Sequence, residues 1–312
     1  MKVLIVCSGN KEDFKFEADQ VFIYEQMIAV QRIFDVSYEI FLIENSGLKG
    51  YYKSIIQLRN KLKRENFDLL HAHYGLSGLV ASFQFSVKKI ITFHGTDINF
   101  WKTNLVSSLA GSLSNRNIFV SEKLSKKSWL KFKAHEIIPC GIDLKRFKII
   151  DKNKAKNQLG LDLEKKYILF CSSFDNVIKN YPLAKSATEK VTIEHTLLEL
   201  KGYSREEVQL LLCACDALLM TSFSEGSPQI IKEAMACGTP IVSTDVGEVS
   251  NIISDTQGCW VCGFDASEIS SSLNKALSFE GRTDGRKNII NFDNAVIAEK
   301  IHKTYKQVLS RS

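Results

Sequence analysis

The stretch that decides the fold spans residues 224–240 and reads SEGSPQIIKEAMACGTP. It follows the continuous apolar run 217–221, which has the composition of a fully buried parallel strand. After a short polar loop, Ser227 predicts a helix N-cap, Pro228 the first helical position, and Gly238 the residue just past the helix end. The stretch therefore predicts a strand–loop–helix unit, the repeating element of parallel α/β sheets.

Two glutamates lie in this unit. Glu225 falls in the loop at the carboxyl end of the strand, and Glu233 falls on the helix, one turn after Gln229. The N–H groups of a helix N-terminus attract anions, and carboxylates accept hydrogen bonds from hydroxyl groups. A ligand with both phosphates and hydroxyls, such as a nucleotide sugar, fits this pair. The alternative is that Glu225 only favours the helix dipole and Glu233 is a solvated surface residue.

The spacing of Glu225 and Glu233 resembles the E-x7-E signature of retaining glycosyltransferases of family 4. The sequence EAMACGTPIVSTDVGEVSNII at residues 233–253 continues the resemblance, which extends more thinly over most of the chain. The resemblance implies an α/β protein with the GT-B fold, in which two Rossmann-like parallel-sheet domains face each other across a cleft.

Alternating apolar runs and amphipathic stretches predict βα units along the whole chain. The predicted strands are residues 2–7, 38–43, 69–73, 89–93, 117–120, 167–171, 196–200, 217–221, 241–244 and 259–262. Residues 139–143, PCGID, break this rhythm and the lysine-rich region 145–156 follows, so we predict a domain boundary here, with domains at 1–145 and 146–293. The resemblance implies that the first is the acceptor-side domain and the second the nucleotide-sugar-binding domain. The helical tail 294–312 should pack back on the first domain, as the resemblance implies.

Composition indicates a globular protein of the cytoplasm. The 312 residues are 45% hydrophobic and 24% charged, and no apolar run approaches the roughly 18 residues of a membrane span. The N-terminal apolar run is too short for a secretory signal and predicts a first strand. Eight cysteines without framework spacing suit a reducing compartment, and Cys213 and Cys215 lack the second pair of a zinc site.

The net charge of +6 is unevenly distributed. Basic residues mix with apolar ones at 51–64, and a second cluster surrounds Trp129: Lys123, Lys126, Lys127, Lys131 and Lys133. Solvated helix faces would explain both clusters. The alternative is a cationic surface that contacts anionic lipid, which would place the protein at the inner face of the membrane. No recognised nucleic-acid module accompanies the charge, so nucleic acid is not an expected partner.

The resemblance assigns residues to the donor side. Family members commonly place Gly-Arg at residues 172–173 and a lysine at 179, and the two cations hold the donor diphosphate. Here Lys179 matches, whereas Ser173 replaces the arginine. A charged hydrogen bond contributes roughly 1.5–3 kcal/mol, so the replacement could weaken donor binding roughly ten- to a hundredfold. Further donor-side candidates are Asn180, Gly202, Tyr203, Gly226, Ser227 and Pro228.

The acceptor-side candidates follow strands of the first half. The string Phe-His-Gly-Thr-Asp resembles the loop in which the family's histidine, here His94, borders the transferred sugar. Gly95 would let the backbone approach a ligand closely, and Asp97 could orient His94 or bind a sugar hydroxyl. Gly9 follows the first strand, where relatives often carry a glycine pair. A lone histidine is more often structural than catalytic, and that alternative remains open at His94.

No metal or other cofactor is expected. His71 and His73 alternate on one strand face, but no third ligand stands at a readable spacing, so they are expected to be structural or cleft-lining. The chain also has no Asp-x-Asp run of the kind that GT-A glycosyltransferases use to hold a divalent ion.

The expected function is transfer of a sugar, with retention, from a UDP- or GDP-linked donor to a saccharide or lipid-linked acceptor in cell-surface polysaccharide synthesis. Glu233 would bind the ribose hydroxyls, Glu225 the donor sugar, and Lys179 with the helix N-terminus the diphosphate. A nucleotide-sugar 2-epimerase shares the fold, but the glutamate spacing favours transfer. The alternative from a different class is a non-catalytic nucleotide-sugar-binding subunit of a partner transferase, which Ser173 would suit.

Overall fold

The computed structural model describes residues 1–10, 13–44, 47–129 and 135–310. The chain forms two compact units. Unit 1 comprises Met1–Gly141 and Asn294–Ser312, and unit 2 comprises Ile142–Asp293. Unit 2 is therefore one continuous segment inserted between the two segments of unit 1, and the chain passes into it after Gly141 rather than after residue 145.

Among the described residues of unit 1, six parallel strands form a sheet with the order β2-β1-β3-β4-β5-β6. The strands are β1 (Lys2–Ser8), β2 (Ser37–Ile43), β3 (Leu69–His73), β4 (Lys88–Phe93), β5 (Arg116–Phe119) and β6 (His135–Ile137). The helices are α1 (Phe16–Asp19), α2 (Val21–Ile33), α3 (Gly47–Arg64), α4 (Gly75–Ser82), α5 (Thr96–Asn99), α6 (Trp101–Ser112), α7 (Glu122–Lys127) and α14 (Asn294–Ser310).

The central strands of unit 1 are apolar on both faces because helices cover both faces of the sheet. Val3 and Ile5 of β1 belong to one apolar cluster, whereas Leu4 and Val6 belong to another. Helix α14 packs against α2 and adds Ile297, Ala298, Ile301, Tyr305 and Val308 to the first cluster. The C-terminal helix is thus part of the core of unit 1.

Within the described chain, unit 2 has a parallel five-stranded sheet with the order β11-β10-β9-β7-β8. Its strands are β7 (Tyr167–Phe170), β8 (Thr196–Glu199), β9 (Ala217–Met220), β10 (Ile241–Thr244) and β11 (Cys259–Cys262). Its helices are α8 (Lys152–Leu159), α9 (Tyr181–Thr188), α10 (Arg205–Ala214), α11 (Gln229–Cys237), α12 (Val249–Ile253) and α13 (Ala266–Leu277), with 3-10 turns at Val177–Lys179 and Gly285–Phe292.

The ten predicted strands are all present, with ends within one residue of the predicted ones. A capping box opens α10, since Ser204 and Glu207 each accept a hydrogen bond from the other's backbone N–H group. Strand β6 was missed because its three residues, His-Glu-Ile, are too short and too polar to form a recognisable apolar run.

Candidate active site

In unit 2 the loops after β7, β9 and β10 are joined by hydrogen bonds at the carboxyl edge of the sheet. The Thr221 hydroxyl donates to the carbonyls of Lys179 and Asn180, each at 3.0 Å. The Thr244 hydroxyl donates to the carbonyl of Ser222 at 2.9 Å. Ligands of open parallel sheets bind at this edge. These hydrogen bonds hold the loops that carry the predicted donor residues in fixed positions.

Lys179 and Glu225 form an ion pair, with 2.6 Å between Nζ and Oε1. The two side chains are only 20% and 14% exposed. Burial is the largest single influence and disfavours the charged form of Lys179, but the charge and hydrogen bond of Glu225 together with Cys171 outweigh it, and the pKa of the lysine is raised. Lys179 therefore remains a cation, held directly beside the carboxylate that the sequence assigns to the donor sugar.

Glu233 is buried in the structure, contrary to the alternative that it is a solvated surface residue. Its Oε1 accepts a hydrogen bond of 2.7 Å from Nη2 of Arg205, the first residue of α10. The guanidinium of Arg205 also lies 4.8 Å from the ring of Phe147. Sequence reasoning missed Arg205; the only available signal was its place directly after the capping Ser204.

The start of α11 differs from the prediction. Pro228 has ψ of 120°, which is extended rather than helical, so Pro228 is the N-cap and the helix begins at Gln229. The prediction that Ser227 is the N-cap and Pro228 the first helical residue is therefore wrong. Ser227 instead accepts a hydrogen bond from Lys232 through its hydroxyl oxygen at 2.7 Å.

Lys232 is a second residue that sequence reasoning missed. Its side chain is completely buried, and its ammonium contacts Ser227 Oγ and, at 3.2 Å, Gln229 Oε1. The charge thus lies beside the first turn of α11, where the helix dipole is also positive. Both favour an anion at this end of the helix.

Ser173 stands where related sequences carry arginine, and its hydroxyl is already hydrogen-bonded. The hydroxyl of Ser173 is hydrogen-bonded to the carboxylate of Asp175, and this bond is the main reason that the pKa of Asp175 is lowered. Lys201 pairs with the same carboxylate at 2.9 Å. Ser173 therefore brings no cation to the site, and the nearby ammonium of Lys201 is paired with Asp175.

The remaining donor-side candidates lie on loops of unit 2. Asn180 is buried and takes a left-handed conformation, φ 55°, ahead of α9. Gly202 has φ of 80°, and Tyr203 beside it is 41% exposed on the loop before α10. At Gly247, φ is 57° and an added Cβ would lie 2.5 Å from the carbonyl oxygen of Gly226, so glycine is required for this loop to pack against the Glu225–Gly226 backbone.

In unit 1, three histidines are grouped at the ends of β3 and β4. His73 Nδ1 lies 3.0 Å from His94 Nε2, and the rings of His71 and His73 stack with centroids 4.3 Å apart. His71 also bonds the Tyr305 hydroxyl and the Thr92 hydroxyl, each at 2.7 Å. Burial lowers the pKa of His71 and of His94 to about 3, so both imidazoles are neutral at physiological pH.

His71 and His73 are completely buried, which agrees with a structural role. Within the described ranges, no group of three or more His, Cys, Asp or Glu side chains is arranged to hold a metal ion. Gly9 lies directly after β1, where its N–H donates to the carbonyl of Ile43 at 3.0 Å.

Asp97 holds the backbone of the His94 loop rather than the imidazole. Its carboxylate accepts from the N–H of Gly95 at 2.8 Å and from the N–H of His94 at 3.1 Å. Gly95 itself has φ of 145°, a conformation that L side chains rarely adopt. Of the two roles considered for Asp97, the structure supports the one that orients His94, through the main chain.

Asp97 should also make the stability of the protein depend on pH. Burial raises the pKa of this carboxyl to about 6, above roughly 3.9 in an unfolded chain. The folded state therefore binds the proton more tightly, and this stabilisation is fully present below about pH 4 and is lost as the pH rises through 6. The shift corresponds to about 3 kcal/mol.

The measurement is the free energy of unfolding of wild type and of Asp97→Asn between pH 3.5 and 7.5. The wild-type value minus the variant value should decrease by about 3 kcal/mol as the pH rises. Asp175→Asn is the control, since the pKa of that exposed carboxyl is lowered and the sign of its effect should be opposite. If the difference stayed constant with pH, the pKa of Asp97 would be the same in the folded and the unfolded protein, which would contradict the prediction.

Comparison with known proteins identifies the family to which the chain belongs. The family model of group 1 glycosyl transferases matches residues 166–278, and that of glycosyltransferase family 4 matches residues 1–146. The two matches fall on unit 2 and unit 1 respectively. The chain thus belongs to the family 4, group 1 glycosyltransferases, and its two parallel-sheet units are those of the GT-B fold.

Individual relatives are distant. N-acetyl-alpha-D-glucosaminyl L-malate synthase of Bacillus anthracis is 24% identical over 64% of this chain and 62% of its own length. The chain spans 56 to 62% of the length of the first curated relatives that it matches. Sucrose-phosphate synthase from Thermosynechococcus elongatus has a TM-score of 0.84 at 17% identity, covering 100% of this chain and 99% of that one.

A second solved structure, Anabaena Alr3699/HepE in complex with UDP-glucose, has a TM-score of 0.79 at 16% identity. The similarity covers 98% of this chain and 100% of that one. At these identities the solved structures establish the fold alone. In the part of this chain that the structure describes, no helix is long and apolar enough to cross a bilayer.

Proposed function

We propose that the chain transfers a hexosyl group, with retention, from a UDP- or GDP-linked donor to a saccharide or lipid-linked acceptor in cell-surface polysaccharide synthesis. The observation that carries the proposal is the pair of ion pairs at the carboxyl edge of the unit 2 sheet. Each places a predicted donor-binding glutamate beside a cation from a separate segment of unit 2. The UDP-glucose bound by Alr3699/HepE is consistent with a nucleotide-sugar donor.

In this proposal Glu233 accepts hydrogen bonds from the ribose hydroxyls. Its Oε1 already bonds Arg205, so the guanidinium fixes the carboxylate, and Oε2 is the atom assigned to the ribose. Glu225 binds the hydroxyls of the donor sugar, and the ammonium of Lys179 beside it bonds the diphosphate. Gly202 and Tyr203 contact the base mainly through backbone groups.

The reaction proceeds on one face of the sugar. The bond between the anomeric carbon and the diphosphate oxygen breaks, and the acceptor oxygen bonds to that carbon from the same side. The proton of the acceptor hydroxyl passes to the departing phosphate oxygen. Lys179, together with the N-terminus of α11 and the buried Lys232, stabilises the charge that develops on the diphosphate.

His94 is assigned to the acceptor side. Its imidazole is neutral and its Nε2 bonds His73 Nδ1, so Nδ1, which lies 3.8 Å from the Cys140 sulfur, is the nitrogen assigned to a sugar hydroxyl. No metal is assigned a role, since the proposed neutralisation of the diphosphate uses lysines and backbone N–H groups.

The decisive experiment is nucleotide release by the purified chain. A transferase should slowly hydrolyse its donor and release nucleotide diphosphate even without acceptor, whereas a non-catalytic binding subunit should release none. A thermal-shift screen across UDP- and GDP-sugars would first select the donor, since a ligand at a hundredfold its dissociation constant stabilises by roughly 2.7 kcal/mol. Binding without release would favour the binding subunit, which the absence of a cation at Ser173 suits.

Ser173→Arg should tighten donor binding. The new guanidinium would lie next to Asp175, which already binds Lys201, and would bring a cation to the position at which related sequences carry arginine. A charged hydrogen bond predicts a roughly ten- to a hundredfold gain in affinity. Ser173→Gln is the neutral control, and equal affinities of the two variants in calorimetry would show that the diphosphate lies out of reach of residue 173.

We also propose peripheral contact with anionic membrane, through the basic cluster around Trp129. Lys126 and Trp129 are 72% and 55% exposed in the structure, whereas Lys131 and Lys133 lie outside the described residues. Each lysine near an anionic surface contributes roughly 1 kcal/mol, and the attraction fades within a Debye length. A lipid-linked acceptor would be reached from such a surface.

A further inference from the structure

Helix α6 buries its polar face and exposes its apolar face. A surface helix normally buries its apolar face, but α6 buries polar and small side chains: Asn104, Ser107, Ser108, Ala110 and Gly111. Its large apolar residues are exposed instead and recur at every fourth position to the C-cap: Trp101, Leu105, Leu109 and Leu113. Their exposed fractions are 64, 54, 50 and 43%. We call these four residues the α6 stripe.

The orientation of α6 is fixed by its buried face. Asn104 donates from Nδ2 to the carbonyls of Ile98 and Lys127, at 2.8 and 2.9 Å, and Ser107 donates to the carbonyl of Asp97 at 2.8 Å. Gly75 of α4 packs so closely on Ser107 that an added Cβ would overlap its hydroxyl. Rotating the helix to bury the stripe would break these bonds, so the stripe faces outward in the folded state.

The stripe is a continuous apolar surface. Residues four apart advance about 40° around a helix, so the four side chains cover an arc of roughly 120° and a length of about 18 Å. Trp129 lies beside the first turn, because its N–H donates to Asn104 Oδ1 at 3.3 Å. Isolated exposed leucines need no explanation, but a row of this kind marks an interaction surface.

The charged residues identified on α6 and beside its first turn are lysines. From Ile98 to Ser121 the sequence contains no aspartate or glutamate. Lys102 lies on α6 itself with its ammonium 5.5 Å from the Trp101 ring, and the Lys127 ammonium contacts the Asn99 side chain at 3.1 Å. An apolar stripe bordered by tryptophan and lysine is the composition of helices that lie in the headgroup region of anionic bilayers.

We propose that α6 lies flat on an anionic lipid bilayer, with the stripe immersed at the boundary between headgroups and acyl chains. Lys102 and Lys127 then reach lipid phosphates, and Trp101 lies at the interface. A second copy of this chain fits the surface less well. In a two-fold symmetric contact the same lysines of both copies would face one another without a carboxylate on the stripe.

This inference goes beyond the electrostatic contact proposed above, because it adds an apolar insertion that salt does not screen. It also stands apart from sugar transfer, since nucleotide binding in unit 2 does not involve α6. If one proposal fails, the other can therefore still be tested on the same protein.

The test compares Leu105→Gln/Leu109→Gln with wild type in co-sedimentation with vesicles of phosphatidylcholine containing 30% phosphatidylglycerol. Both leucines are exposed, so the variant should keep its fold and its nucleotide-dependent thermal shift. Its partition coefficient should fall about a hundredfold, tenfold for each leucine. The matched control is Val177→Gln/Ile290→Gln, which changes two exposed apolar residues of unit 2 and should bind as wild type does.

Salt separates the two contributions. Neutralising Lys102, Lys126, Lys127 and Lys131 together should remove the part of binding that 0.5 M NaCl weakens, whereas the leucine variant should lose the part that persists. Brominated lipid should quench wild-type fluorescence more than that of Trp101→Phe. Equal binding of wild type and leucine variant, or no binding of wild type, would overturn the proposal. So would self-association of wild type that the leucine changes abolish, because the stripe would then join two copies.

Discussion

Replacing Lys179 by methionine is expected to lower kcat/KM of donor hydrolysis by two to three orders of magnitude. Methionine keeps an unbranched side chain one heavy atom shorter and removes the charge. The Lys179 ammonium lies 2.6 Å from Oε1 of Glu225, the predicted sugar-binding carboxylate. Losing a preorganised donor to developing charge typically costs a factor of 10² to 10³, more than the loss in ground-state binding.

The effect of Lys179→Met must be separated from a loss of stability, since the largely buried Glu225 would lose the ammonium with which it pairs. The double variant Lys179→Met/Glu225→Gln removes both charges and should restore stability but not activity. Lys185→Met, which changes an exposed lysine of α9, is the matched control and should leave kcat/KM unchanged. If Lys179→Met bound the donor with wild-type affinity, the phosphates would be held elsewhere.

The second large effect is expected at Glu233. Glu233→Ala should weaken the free nucleotide diphosphate and the whole donor alike, by roughly ten- to a hundredfold, because the ribose belongs to both ligands. Glu225→Ala should leave the affinity of the nucleotide unchanged and remove only the additional affinity given by the sugar. Isothermal calorimetry with the two ligands distinguishes the two glutamates.

Arg205 provides an internal check on the role of Glu233. Arg205→Gln frees the Glu233 carboxylate from its ion pair without removing it, so nucleotide affinity should fall by less than in Glu233→Ala. Wild-type affinity for nucleotide diphosphate in both glutamate variants, with the donor still bound, would show that the ribose is recognised elsewhere.

The sequence predicted the strands well because buried parallel strands are short apolar runs that need no tertiary information. Ala217–Met220 and Ile241–Thr244 are examples, since each is completely or almost completely buried. The start of α11 was harder, because proline suits both the N-cap and the first helical position, and only its ψ angle distinguishes the two.

The sequence predicted individual residues of the candidate site but not which of them contact one another. Glu225 and Lys179 were separate candidates 46 positions apart, and only the adjacency of β7 and β9 brings them together. Arg205 and Lys232 carry no motif of their own, since a lysine on a helix normally lies in solvent. The α6 stripe was missed for the opposite reason: its periodicity predicts a face directed to the core, and the structure directs it outward.

The insertion of unit 2 into unit 1 has a consequence for the order in which the protein matures on the ribosome. Domains usually complete in the direction of synthesis, N-terminal first. Here unit 1 begins first but needs Ile297, Ile301 and Tyr305 of α14 for its core, whereas every residue of unit 2 has been made by Asp293. Unit 2 can therefore complete its core while unit 1 still exposes the apolar face of α2 against which α14 packs.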